Sequence, residues 1–469
     1  MDSPKKDSKT DTDPEAHLMT HPHGQSYRMT NMRYVALALA CCLLVGSYYC
    51  FDNPSALESQ FTDQNGSFKL SNVNYNLLYS VYSFPNIVLP LFGGILIDRV
   101  GIRVGIVLFS FLLIVGQFFV MLGGIMTSYG ILILGRVVFG LGGESLGVTQ
   151  STLVAKWFGD KDLAFALGLN IAVSRLGSTV NTALTPQLFK ATNGYTIPFL
   201  VGLIICCVSF VAGLGLCWMD READRREGKL KGGANEPDES DQIKFKDLKN
   251  FNLTFWLLAL NCMLIYGAFF SFTGNANDLL NKMFDVSNDT AGLYLMIIYL
   301  IAACVTPFFG KICDKFGNRA SMMIAPLSLF IVAMLVLIFY PSDIGGAATL
   351  FPLICTGIFY STYAAIFWPC IALVVEKRTL GTAYGIVTSV QNLNLAISPL
   401  IFGAIHDKTP ENRGGYFWAC AFVVFQALIG LYCAVAINVV DYKSGNVLDK
   451  VNRLNKAESA RASRQSMLK

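Results

Sequence analysis

From residue 33 onward the chain alternates between long apolar runs and short polar connections. The runs cover 33–52, 75–97, 104–126, 129–156, 162–189, 196–219, 253–279, 290–313, 320–340, 347–376, 380–406 and 414–438. Each reaches the roughly 20 residues that a helix needs to cross the hydrocarbon of a bilayer. The pattern therefore predicts an all-α membrane protein of twelve spans. Several runs contain Gly or Pro, which membrane helices tolerate better than soluble ones.

Composition agrees with the pattern. Of 469 residues, 53% are hydrophobic and 14% are charged, against about 25% charged in a soluble domain. Lys and Arg set the orientation. One set of connections carries Arg99 and Arg103, Lys156 and Lys161, Arg221 to Lys249, Lys311 to Arg319, and Lys377 with Arg378. The other carries only Lys69, Lys190, Lys282, Lys408 and Arg413. The basic set is expected in the cytosol, together with both termini. The net charge of +4 is then a product of this bias and argues for no nucleic-acid partner. The expected organisation is a disordered tail (1–32), a six-helix bundle (33–219), a cytosolic linker (220–250), a second six-helix bundle (251–440) and a basic tail (441–469) near anionic lipid. The first apolar run is a full span, so no signal peptide is expected. The thirteen cysteines lie mostly within spans, and the outward loops are nearly free of them, which predicts no disulfide framework. His21 and His23 stand in the polar tail and are read as solvated rather than as metal ligands.

Two segments repeat. In "GGILIDRVGIRVGI" (93–106) and "FGKICDKFGNRASM" (309–322), Gly94, Asp98, Gly101 and Arg103 recur as Gly310, Asp314, Gly317 and Arg319 at identical spacing. Each segment follows the second span of its half, which marks an internal repeat. The Asp can pair with the Arg and with a neighbouring helix end. Asp98, Arg99, Arg103, Asp314 and Arg319, with Gly94 at the turn, are thus candidate gate residues. Two parallel six-helix repeats joined by a cytosolic loop resemble the major facilitator transporters. "GGILIDRVGIR" resembles that superfamily's loop signature. "GRVVFGLGG", with Arg136, Gly140 and Gly142, resembles its fourth-helix signature. The resemblance implies a carrier that rocks about a central cavity between its halves.

Two charges stand near the middle of spans: Glu144 in the fourth and Arg175 in the fifth. A charge at a helix centre costs on the order of 3 kcal/mol, so it faces a cavity or a partner. Arg136 precedes Glu144 by eight residues, about 12 Å along the axis, too far for a direct pair. Either Glu144 and Arg175 form a permanent salt bridge, or they stand apart and bind opposite ends of a zwitterion. A guanidinium suits a carboxylate and a carboxylate suits an ammonium. Gly142, Gly143 and Gly147 favour the second reading by removing bulk around Glu144. Aligning the repeats sets Arg175 against Gln391 or Asn392, and Glu144 against Tyr360 or Ser361. Asn181, Tyr294, Tyr363, Trp368 and Asn392 are further candidates for the cavity wall, and Arg136 is a candidate coupling residue.

"YYCFDNPSALESQ" (48–60), "GRVVFGLGGESLGVTQ" (135–150) and "SRLGSTVN" (174–181) resemble the major facilitator superfamily domain-containing protein 1 group. That resemblance implies facilitative uniport of dipeptides across the lysosomal membrane. By it, Glu144 receives the peptide amino terminus and Arg175 its carboxylate. Asp52-Asn53-Pro54 would break the first helix at the outer mouth. It also implies a glycosylated accessory membrane protein that shields an unglycosylated carrier. Two features depart from that group. The N-terminal tail has no acidic-dileucine sorting signal, which leaves the plasma membrane as an alternative. Asn65 and Asn288 head acceptor sequons on the outward side, so the chain is expected to carry its own glycans. Asn252 heads a third on the cytosolic side, expected to be silent. Rival readings are a proton-coupled organic-anion carrier and a non-transporting sensor. No Ser/His/Asp set, metal-ligand cluster or phosphate loop points to an enzyme, and no cofactor is implied.

Overall fold

The computed structural model describes residues 28, 30–90, 101–158, 163–226, 251–341, 346–375, 380–410 and 413–448. Among these residues, twelve helices of at least 15 residues follow one another. They are α1 (Met32–Phe51), α2 (Asn72–Asn86), α3 (Ile102–Ile125), α4 (Tyr129–Phe158), α5 (Leu163–Thr192) and α6 (Thr196–Arg226), then α7 (Leu253–Gly274), α8 (Asn288–Phe316), α9 (Ile324–Phe339), α10 (Leu350–Val374), α11 (Leu380–Lys408) and α12 (Tyr416–Lys443). Ten of the helices in the described residues are long and apolar enough to cross a membrane. The other two helices are α2, with 15 described residues, and α5, whose first three side chains lie outside the described residues. Helix α5 carries a buried polar stripe. Asn170, Ser174, Ser178, Asn181 and Thr185 recur at helical spacing along one face. The bundle's outer surface is apolar, as lipid requires: Phe308, Tyr432, Trp218 and Val211 are all exposed.

The helices form two bundles. In the first, α3 packs against α4 and α6, α1 against α5 and α6, and α2 against α4. In the second, α7 packs against α11 and α12, α8 against α10, and α9 against α10 and α12. The bundles meet along two seams, α2 with α11 and α5 with α8. Each seam needs a glycine. A Cβ on Gly403 of α11 would sit 2.6 Å from the Asn72 carbonyl oxygen, and one on Gly292 of α8 would sit 2.2 Å from that of Thr182. Small residues let helix backbones approach this closely in a membrane.

One end of the bundle is capped. There α1 stops at Phe51, and short helices at Asn53–Ala56 and Glu58–Thr62 lead towards α2. Helix Ala276–Phe284 covers the same end between α7 and α8. Ties between the halves gather here. Asn76 and Asn275 exchange amide hydrogen bonds at 2.8 Å, and the Tyr75 hydroxyl donates to the Gly274 carbonyl. Asp407 of α11 accepts the Asn72 and Val73 backbone N–H groups at 3.1 Å, as a carboxylate does at a helix start.

The other end, where α6 stops and α7 starts, differs from expectation. Helix α6 does not end near 219 but runs on to Arg226, so residues 220–226 are helical and not linker. That extension carries the partner of Arg103. Arg103 Nε donates to Asp220 Oδ2 at 2.7 Å, and Asp220 also takes Arg28 at 3.1 Å and Lys156 at 3.0 Å. Asp224 joins the same cluster. Gly94, Asp98 and Arg99 lie outside the described residues, as does the Asp314 side chain. Arg319 is buried and opens the short helix Arg319–Met322 that leads into α9. Asn252, the third sequon asparagine, caps α7 by accepting the Phe255 N–H at 2.9 Å.

Candidate functional site

The polar stripe of α5 packs on α1 and the break after it, with Thr185 on Tyr49 and Asn181 on Asn53, and the two central charges lie nearby on α4 and α5. Arg175 is half-buried. Its Nη2 donates to the hydroxyl of Tyr360 on α10. Its guanidinium stacks over Tyr48 of α1 and Tyr360, 4.9 and 4.8 Å from their ring centres. Its Nε is buried and has no hydrogen-bond partner among the described residues. Two aromatic faces thus hold the guanidinium flat while one donor edge is unused.

Glu144 is half-buried at the centre of α4. Its polar contact is with Tyr82 of α2, whose hydroxyl lies 3.4 Å from Oε1. No ion pair within 4.0 Å joins Glu144 to Arg175 or Arg136 among the described residues.

Only one of the three glycines around Glu144 opens space. A Cβ on Gly143 would meet the Tyr82 hydroxyl at 2.4 Å, and one on Gly142 would meet the Phe109 carbonyl at 2.6 Å. These two let α4 pack against α2 and α3, contrary to the expectation that they make room for a ligand. Gly147 has nothing within 4 Å of a Cβ and does open space.

Arg136 is fully enclosed. It donates to the carbonyls of Leu78 at 3.0 Å and Cys50 at 3.3 Å, inside a cage of Phe51, Tyr79, Tyr82 and Phe139. Its described acceptors are main-chain carbonyls, so it braces the α1, α2 and α4 junction. Asn181 hydrogen-bonds Asn53 at the break after α1, and its Oδ1 has no partner. Trp368 Nε1 donates to the Tyr266 hydroxyl at 2.8 Å, and Tyr360 stacks on Phe269 with ring centres 4.2 Å apart. Tyr363 turns away to donate to Asn261 at 2.7 Å. Asn392 Nδ2 donates to the Thr388 carbonyl at 2.9 Å, and its buried Oδ1 has no partner. Tyr294 lies in the early turns of α8 beside Gly346, towards the capped end. Tyr299, about 7.5 Å further along the same helix, is the α8 tyrosine that shares the field of Arg175.

The sequence reading placed neither Tyr48 against Arg175 nor Asp52 in a buried position. Asp52 ends α1 as a helix stop, as expected, yet it is only 3% exposed and its field reaches Arg175 and Arg136. The available signal was their spacing: Tyr48 and Asp52 are one turn apart, on the same side of α1.

A six-plus-six bundle with a charged, aromatic-walled centre is matched by the family model of the Major Facilitator Superfamily, over residues 35–399 and 258–447. The chain belongs to that superfamily. Within it, the chain is similar to the lysosomal dipeptide transporter MFSD1 of Homo sapiens, at 35% identity over 89% of this chain and 88% of that one. It is 32% identical to MFSD1 of Danio rerio over 94% of both chains. Among solved structures, the nucleoside transporter NupG superposes with a TM-score of 0.65 at 11% identity, covering 87% of this chain and 99% of that one. At that identity the likeness concerns the fold alone.

Proposed function

We propose that this chain is a twelve-helix facilitative carrier of dipeptides in the lysosomal membrane, with both termini cytosolic. In this reading α2 and α5 are the remaining two spans. The observation that carries the reading is the separation of Glu144 from Arg175. The carboxylate and guanidinium lie on different helices, make no ion pair with each other, and keep unused acceptor and donor capacity. A zwitterion with its charges apart satisfies both: the ammonium at Glu144, the carboxylate at Arg175. The dipeptide assignment also rests on the relatives, whose substrate is named. Trp368, Tyr266 and Tyr360 supply aromatic surface that accepts varied side chains. Asn181 and Asn392 each keep an unused acceptor for peptide N–H groups.

Alternating access fits the disposition of the ties. Hydrogen bonds joining described residues of the two halves lie at the capped end, apart from the central Arg175–Tyr360 bond. Arg103, anchored to α6, and the repeated Asp98 and Asp314 form the gate at the opposite end in this reading. A glycosylated accessory membrane protein is included among the partners on the sequence resemblance alone.

The test is counterflow in liposomes. Chain reconstituted into vesicles preloaded with one dipeptide is expected to take up a second, labelled dipeptide without a pH gradient. Glu144→Gln should weaken free-amine dipeptides and leave N-acetylated ones at their poor wild-type level. Arg175→Ala should weaken every ligand with a free carboxylate. Charge-assisted contacts of about 1.5–3 kcal/mol make each loss roughly ten- to hundred-fold. Uptake of simple carboxylates driven by a pH gradient would identify an organic-anion carrier instead. Binding without flux would identify a sensor.

A further inference from the structure

The capped end holds a charged cluster that spans the halves and has no part in the central site. Glu58, in the short helix Glu58–Thr62, is fully buried. Its Oε2 accepts the Asp278 backbone N–H at 3.1 Å, and its Oε1 lies 3.5 Å from the Tyr416 hydroxyl. The same hydroxyl lies 2.6 Å from Asp278 Oδ2, which also takes Lys282 Nζ at 2.7 Å. Glu58 belongs to the first half, while Asp278, Lys282 and Tyr416 belong to the second.

Proton bookkeeping decides what state this geometry represents. A tyrosine hydroxyl has one proton to donate. With both carboxylates ionised, one of them goes without it, and among the described residues Lys282 is the one cation paired with the two buried anions. A proton on Glu58 completes the chain. Glu58 then donates to Tyr416, Tyr416 donates to Asp278, and Asp278 stays paired with Lys282. Burial, and next the Asp278 carboxylate, push Glu58 well above the usual carboxylate range. The other titratable groups facing the cluster are Tyr75 and Tyr79 on α2, and His406 and Asp407 on α11. The His406 ring meets Tyr416 edge-on at 4.4 Å between centres, and its Nδ1 is 3.9 Å from Asp407 Oδ1.

We propose that Glu58, Tyr416 and Asp278 form a proton-operated latch, closed across the capped end when Glu58 is protonated and released when Glu58 ionises. Release separates the halves and exposes Glu58 to water, where its pKa returns towards about 4.3. The closed form therefore holds the proton more tightly. By linkage, acid favours closure: the effect is complete below the open-form pKa and disappears as pH rises through the raised, closed-form value. A cavity of about 750 Å³ lined by Asp278, Lys282 and Asp407 adjoins the cluster and gives protons a way in. The latch is independent of which solute the central site takes, so its test uses none.

Spin labels at Gln64→Cys and Ser287→Cys, both exposed positions, straddle the mouth. They are introduced into the full chain with the exposed Cys42, Cys207 and Cys304 changed to serine. Distances are read by pulsed electron paramagnetic resonance in lipid nanodiscs over a pH series from about pH 4, near the ordinary carboxylate value, up to about pH 9. Wild type is expected to show a single short distance in acid and a growing long component as pH rises. Glu58→Gln, whose amide donates to Tyr416 as the protonated acid does, is expected to stay short throughout. Tyr416→Phe, which cuts the chain, is expected to keep a long component even in acid. The proposal is overturned by a pH-independent wild type, by a full pH response in Glu58→Gln or Tyr416→Phe, or by a response that His406→Gln alone abolishes.

Discussion

Arg175 makes its side-chain hydrogen bond across the molecular midline to Tyr360, and not within its own half to Glu144. The two central charges are therefore not each other's partners. A buried pair would lock α4 to α5. Instead Arg175 ties the halves together, and Glu144 rests on Tyr82.

Thermal melting separates these arrangements. A salt bridge broken by Glu144→Gln would strand a buried charge and cost about 3–5 kcal/mol. With the charges apart, Glu144→Gln is expected to melt close to wild type without ligand. What it loses is the rise in melting temperature that a dipeptide gives wild type. A variant that melts early yet keeps the ligand-induced rise would return Glu144 to a structural role.

Tyr360→Phe removes the hydroxyl that accepts from Arg175 but keeps the stack on Phe269. Affinity for carboxylate-bearing ligands should fall roughly tenfold, because the hydroxyl positions the guanidinium through a charge-assisted bond of about 1.5–3 kcal/mol. Binding of amidated dipeptides, measured by calorimetry, should change much less.

The glycines around Glu144 divide by function. Gly143→Ala drives a methyl group into Tyr82 and should cost about 1–3 kcal/mol, as overpacking does. Gly147→Ala meets nothing and should melt at or slightly above wild type, since Ala stabilises a helix interior by about 0.5–1 kcal/mol over Gly. If Gly147→Ala binds bulky dipeptides as well as wild type does, Gly147 does not line the site.

The two sequons expected on the outward side differ in presentation. Asn65 is exposed in a turn whose backbone N–H bonds Asp63 at 2.8 Å. Asn288 is half-buried at the first residue of α8, with its carbonyl accepting from Asn277 at 3.2 Å. In a eukaryotic host, Asn65→Gln is expected to abolish the glycan-dependent gel shift, and Asn288→Gln to leave it unchanged. The reverse result would place the glycan on the α8 start.

Much of the fold is legible in the sequence because a bilayer imposes one rule on every span: apolar length. The runs follow from it, and so does the exception that the charges of Glu144 and Arg175 make within them. Helix α5 was legible as an apolar run, whereas the alignment of its polar residues on one buried face came from the structure. Tyr360 was reachable by aligning the halves. Tyr299 was not, because Tyr294 and Tyr299 look alike in a string and differ only in depth along α8.

The sequence by itself determined which residues had to leave lipid: Glu144, Arg175, Arg136 and the α5 stripe are too costly to face hydrocarbon. It did not determine what they turn towards. Arg103 finds Asp220, 117 positions away, because α6 extends beyond its apolar run. Glu58 meets Asp278 and Tyr416 only once the halves close over the capped end. Desolvation cost belongs to a single residue and can be read along a chain. Pairing depends on distances between helices, and those are fixed by how the two bundles pack.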